Sequence, residues 1–160
     1  MERSREAFAR LGPVKIKFCL AWASGNIAKS FKSPNALSLF QEYAERIGKF
    51  GDCSFSGFDT GKKPQAKLWL CHTAKNAKVL SSEELAKSLQ NLMNSGAKEL
   101  CIGIGPADGF MAKDIESLKP DILWSFGPMT LPHELAAVIA AEQVYRAYSI
   151  IHRLPYHSGH

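Results

Sequence analysis

No apolar run in this 160-residue chain approaches the roughly 20 residues that cross a bilayer, so no membrane-spanning helix is expected. Paired cysteines are missing as well: Cys19, Cys53, Cys71 and Cys101 contain no C-x-x-C motif. Disulfide frameworks belong to small secreted chains, and structural zinc requires ligand pairs at fixed spacing, so buried free thiols are expected and a metal is not. The adjacent Cys71-His72 is the one candidate metal corner, and no second ligand pair accompanies it. Internal repeats and low-complexity tracts are absent, which excludes solenoids and compositional linkers. The opening stretch MERSREAFARLGP mixes both charges without an apolar core. It reads as a short helical or loose extension over residues 1–13 and not as a targeting peptide. A cytoplasmic protein is expected, with one domain over residues 14–160.

Concentrated charge of one sign is also lacking. The net charge is +5, and Lys15, Lys17, Lys29, Lys32, Lys62, Lys63, Lys67, Lys75 and Lys78 are dispersed beside strands or in loops. Such lysines can form a rim but no single patch, which leaves a solvated basic surface and a nucleic-acid contact both open.

What is present is a strand and helix alternation. Val14 to Ala21, VKIKFCLA, alternates before turning wholly apolar, as a strand entering a sheet does. Ser33-Pro34 then opens a helix whose apolar stripe is Leu37, Phe40, Ala44 and Ile47. Strands follow at Cys53 to Phe58 and Ala66 to Cys71, with the polar loop Asp59 to Gln65 between them. Ser81 and Glu84 form a capping box before the face Leu85, Leu89, Leu92 and Met93, and Asn94-Ser95-Gly96 ends that helix. Glu99 to Gly103 reads as a fourth strand, Phe110 to Leu118 as a short helix and Asp121 to Phe126 as a fifth strand. The last helix is expected from about Leu131 to Ile151, with Thr130 as a possible cap. Alternation of this kind implies an α/β fold, a mainly parallel sheet flanked by helices.

Ligands of open parallel sheets collect at the carboxyl ends of strands. Three loops there are candidates: the turn after Leu70, the stretch CIGIGPADGF from Cys101 to Phe110, and Gly127 to Pro132. The glycines of CIGIGPADGF are spaced G-x-G-x-x-x-G, one residue longer than the dinucleotide fingerprint. Pro106 further removes a backbone donor where a pyrophosphate would need one. Two of the three loops contain a Gly-Pro step, which suits either a plain turn or a stiff loop facing a planar ligand.

The segment Thr130-Leu-Pro-His133, followed by Glu142-Gln-Val-Tyr-Arg-Ala147 and Pro155-Tyr-His157, closely resembles the C-terminal pattern of the RlmH-type methyltransferases of the SPOUT class. The likeness in order and size extends from about Val14 to His157. It implies an α/β trefoil knot in the C-terminal half and a homodimer whose sites are completed by the tail of the second copy. It also implies transfer of a methyl group from S-adenosyl-L-methionine to N3 of a pseudouridine in the helix 69 region of 23S ribosomal RNA, with the assembled ribosome as the expected substrate and free RNA left open. A silent RNA-binding or dimerisation module of the same fold, or a methyltransferase for transfer RNA, are the alternatives. Carried over by position, the resemblance places Leu70, Gly105, Gly127, Pro128, Met129, Thr130, Leu131 and Pro132 on the cofactor. His133, Arg146, Tyr156 and His157 fall on the target base or its RNA. His133 is equally open as a structural helix-terminal histidine, Arg146 as a partner of Glu142, and the tail as a loose end. An apolar stripe of Val138, Ile139, Val144, Tyr145 and Tyr148 suits a dimer contact or the core. Departures from the pattern are CHTAKNAK after Leu70, Gly103-Ile-Gly105 in place of Gly-Gly, and Ala137 where an arginine is common.

Overall fold

The computed structural model describes residues 13–106 and 108–158, so the extension expected over 1–13 lies outside the described residues except for Pro13. Six strands build one sheet: β1 (Lys15–Leu20), β2 (Cys53–Gly57), β3 (Lys67–Cys71), β4 (Lys78–Val79), β5 (Glu99–Ile104) and β6 (Ile122–Ser125). Their order is β2-β1-β5-β3-β6-β4, and every neighbouring pair is parallel. A parallel sheet is covered on both faces, which is why β3 and β5 read as continuous apolar runs. Alternate residues divide between the two faces. Trp69 and Cys71 pack into the larger core, whereas Leu68 and Leu70 join a smaller one with Cys19, Cys101, Phe110 and Leu118. The two-residue, exposed β4 carries too little apolar pattern to be read from sequence.

Five helices complete the described fold: α1 (Ile27–Ser30), α2 (Pro34–Gly48), α3 (Ser82–Asn94), α4 (Ala112–Leu118) and α5 (His133–Ile151). Ser33 caps α2, its Oγ accepting the Ala36 N–H at 3.2 Å. The Ser81 and Glu84 capping box closes the start of α3 at 3.1 and 3.2 Å. Gly96 beyond its end takes φ 77°, a left-handed conformation that glycine adopts without a Cβ clash. The start of α5 differs from expectation. Pro132 occupies the cap position without any side-chain hydrogen bond, and Thr130 lies outside the helix.

Helix α5 packs against both α2 and α3 on the larger core. Val138, Val144 and Tyr148 are therefore interior, and only Ile139 and Tyr145 of the expected stripe are partly exposed. Each such buried aliphatic or aromatic side chain contributes about 1.5–3 kcal/mol. The stripe is used up as core because a helix seated between two others has little outward face left.

Candidate functional site

Because all strands run the same way, the loops leaving the adjacent strands β5, β3 and β6 rise together at one edge of the sheet. They enclose a cavity of about 210 Å³. Cys71, His72 and Thr73 come from the first loop; Gly105, Pro106, Asp108 and Gly109 from the second. Met129, Thr130 and Leu131 come from the third, and Trp124 and Phe126 supply aromatic walls. His133 borders the cavity from the first turn of α5.

The three loops singled out in the sequence thus meet, and Gly105, Met129, Thr130, Leu131 and His133 line one space. Gly127, Pro128 and Pro132 belong to the same loop without lining it; Gly127 sets the turn with φ 107°. Leu70 is fully buried on the opposite face of the sheet, one residue before the wall begins at Cys71. Gly105 borders the cavity through its backbone, and a Cβ there would meet Phe110 ring atoms at 3.2 and 3.3 Å. The space left by its missing side chain is filled by that ring and is not open to a ligand. Sequence reasoning missed His72, Asp108, Trp124 and Phe126 as wall residues. The available signal was position, since Trp124 and Phe126 end a strand directly before a Gly-Pro loop.

The electrostatics of the walls follow from burial. Burial holds the His72 imidazole below its ordinary range, so it is neutral near pH 7, and the ring leans on Phe110 with centroids 6.4 Å apart. Burial pushes the Cys71 thiol well above the usual range, which makes it a poor nucleophile. Glu134 is almost fully buried beside the cavity mouth. Its carboxylate accepts the backbone N–H groups of Lys32 at 3.1 Å and Ser33 at 3.0 Å, at the start of α2. Its neighbour His133 places Nε2 3.8 Å from Glu134 Oε2 and packs its ring on Trp22, centroids 4.6 Å apart.

A sequence model described as "Predicted SPOUT methyltransferase" matches residues 27–157. The chain belongs to the SPOUT methyltransferase family. Ribosomal RNA large subunit methyltransferase H of Psychrobacter sp. (strain PRwf-1) is 36% identical over 132 residues, 82% of this chain and 75% of that protein. The protein of the same name from Nitrosococcus oceani is 36% identical over 140 residues, covering 74% of this chain and 86% of its own length. That of Koribacter versatilis is 45% identical over 83 residues, 52% of this chain and 56% of that protein. A Legionella pneumophila protein solved with bound SAM aligns with a TM-score of 0.43 at 19% identity, covering 87% of this chain and 68% of that one.

In this SPOUT chain the remaining site candidates also meet one another, but away from the cavity. Glu142 Oε1 accepts from Arg146 Nη2 at 2.7 Å and Nε at 3.0 Å, and from Tyr156 Oη at 3.0 Å. Gln143 Nε2 donates to Glu142 Oε2 at 2.7 Å. The Arg146 guanidinium lies 4.8 Å from the centre of the Tyr156 ring, and its Nη1 is 3.1 Å from His157 Nδ1. His157 Nε2 lies 2.8 Å from Glu83 Oε1 on α3. Burial first, and then hydrogen bonds with Tyr43 and Glu142, raise the Tyr156 phenol above its ordinary range. The tail is therefore folded onto its own chain, and the Arg146 pairing with Glu142 weighed from sequence is present. Thirteen residues of helix, about 20 Å, separate His133 from Arg146.

The lysines divide between the two edges of the sheet. Lys29, Lys32 and Lys75 are exposed in segments that follow the carboxyl ends of β1 and β3, and Lys78 is exposed in β4, beside the carboxyl end of β6. Lys63, Lys67 and Lys98 border a second hollow at the amino edge, together with Glu99 and Asp121.

Proposed function

We propose that this chain methylates a base of large-subunit ribosomal RNA as a homodimer, with S-adenosyl-L-methionine as donor. The observation that carries this reading is the cavity in which three stiff loops and His133 converge. Its walls fit the donor. Trp124, Phe126 and Leu131 offer apolar surface for a purine, and His72, Thr73 and Thr130 offer polar groups for ribose hydroxyls. Asp108 supplies a carboxylate for the ammonium of the amino-acid arm. When bound, the donor supplies an electrophilic methyl group on a sulfonium.

The chain's own residues then have three tasks. The loops hold the donor so that the target nitrogen approaches in line with the methyl group. His133, at the mouth, accepts the imide proton that N3 of a uracil-type base must lose, a role suited to an imidazole. The exposed lysines at the carboxyl edge of the sheet neutralise RNA phosphates. The finer target within this reading is N3 of a pseudouridine in the helix 69 region, and the knotted C-terminal threading belongs to the same reading.

The split between cavity and tail supports the dimer. Leu135, Ile139, Glu142 and Arg146 follow one another along one face of α5, spaced at turns of the helix. Leu135 is 46% exposed, and Met129 and Val79 are 71% and 66% exposed. A two-fold axis crossing this face near Ile139 would exchange the ends of α5. The Arg146, Tyr156 and His157 cluster of each copy would then lie over the other copy's cavity.

Calorimetry with S-adenosylmethionine and mass-spectrometric mapping of ribosomal nucleosides, with and without the gene, test the reading. Donor binding and the loss of one methylated pseudouridine are expected. Unchanged ribosomal RNA with a lost transfer RNA methyl group would move the substrate to transfer RNA, and absence of donor binding would leave a silent module.

A further inference from the structure

Trp22 follows β1 at the same edge of the sheet as the cavity, outside its walls. Its indole packs against Phe31 with centroids 5.7 Å apart at 76°, and against His133 at 4.6 Å and 60°. Indole N–H groups that leave water almost always find an acceptor. Trp22 Nε1 is buried and has no hydrogen-bond partner among the described residues. A tryptophan that leaves its donor unmatched serves this position through its ring and not through its N–H.

The ring has one neighbour with chemistry to perform. The backbone of His133 is already fixed, because the adjacent Glu134 ties the first turn of α5 to the start of α2 through two hydrogen bonds. Only the imidazole remains free to rotate about its side-chain bonds, and Trp22 packs on it directly. We infer that Trp22 is a positioning residue, which holds the His133 imidazole in one orientation at the mouth of the cavity. The titratable groups around that imidazole are Glu134 at 3.8 Å and, across the cavity, His72, Cys71 and Asp108. None of these packs a flat surface on it, so removal of the indole leaves the ring unrestrained on that side. The inference rests on the proposed role of His133 for its effect on rate, but the restraint itself is independent of that role.

Three variants test it. In Trp22→Leu, side-chain couplings of His133 measured by NMR should change from a single rotamer to an average. Transfer should lose about ten- to a hundredfold in kcat through misplacement, with donor affinity by calorimetry held within about threefold. Trp22→Phe retains a ring edge without the unmatched donor, and should restore the single rotamer and kcat to within about threefold of the parent. In a His133→Ala background, Trp22→Leu should cost nothing further in kcat, since the two act as one unit. A single His133 rotamer in Trp22→Leu would overturn the inference. So would a Trp22→Phe enzyme as impaired as Trp22→Leu, or losses that multiply in the double variant. The NMR result is read without any RNA, so failure of the restraint is distinct from failure of the proposed reaction, which would appear as no transfer by the parent chain.

Discussion

Replacing Glu142 by alanine would remove the acceptor at the centre of the tail cluster. That carboxylate receives two hydrogen bonds from Arg146, at 2.7 and 3.0 Å, one from Tyr156 at 3.0 Å and one from Gln143 at 2.7 Å. The Glu142 and Arg146 side chains are 18% and 15% exposed, so the pair is neither a screened surface pair nor a dry one. An exposed i, i+4 pair contributes about 0.3–0.5 kcal/mol, and loss of one member of a fully buried pair costs about 3–5 kcal/mol. Arg146 would keep its contacts with His157 and the Tyr156 ring, which softens the loss. A cost of about 2–3 kcal/mol follows, which for a chain of this size lowers the thermal midpoint by roughly 5–10 °C. Glu142 lies outside the cavity, so donor affinity by calorimetry should be unchanged, while methyl transfer to ribosomal RNA should fall as the tail loses its anchor. A midpoint shifted by less than about 1 °C would show that other contacts hold the tail and refute the estimate. Loss of donor affinity would refute the separation of cavity and tail within one chain.

Gly105→Leu must displace the Phe110 ring that fills the space beside Gly105, so donor affinity measured by calorimetry should drop at least about tenfold through a distorted second loop. Ending the chain at Leu154 removes Tyr156 and His157 and should spare donor affinity while abolishing transfer, as followed by nucleoside mass spectrometry. Tyr148 provides a test of alkaline stability. Burial pushes its phenol up to about 12 from an ordinary 10.0, so the folded state favours the neutral form. Its contribution is complete below about pH 10, is lost as pH rises toward 12, and amounts to roughly 3 kcal/mol. Denaturant midpoints at about pH 9 and 11 should therefore diverge less in Tyr148→Phe than in the parent chain.

Local chemistry made much of the fold legible. Ser33-Pro34 and the Ser81 and Glu84 box mark helix starts because each matches orphan backbone donors within four residues of itself, and both form as read. The apolar runs of β3 and β5 announced strands covered on both faces. Short elements did not show: α1 and β4 span four and two residues, too few for any period to emerge. At the site, the Gly-Pro steps and the T-L-P-H segment pointed to two of the loops that meet at the cavity, because turn residues act locally.

Side-chain direction was another matter. Leu70 and Cys71 are adjacent in the chain and similarly apolar, and only the pleat of β3 between two faces decides which of them borders the cavity. The resemblance placed Gly105 on the cofactor, but only the fold shows that Phe110, five residues on, fills the space beside it. The amino-acid order determined the longer helices and strands and the turns between them, since those follow from interactions between near neighbours, and their alternation implied the parallel sheet. Folding in three dimensions decided which groups share a space: Trp22 beside His133, Glu134 on the start of α2, and the tail on Arg146 and Glu83. These contacts join residues 11 to more than 100 positions apart, and no pattern within a short window of sequence contains them.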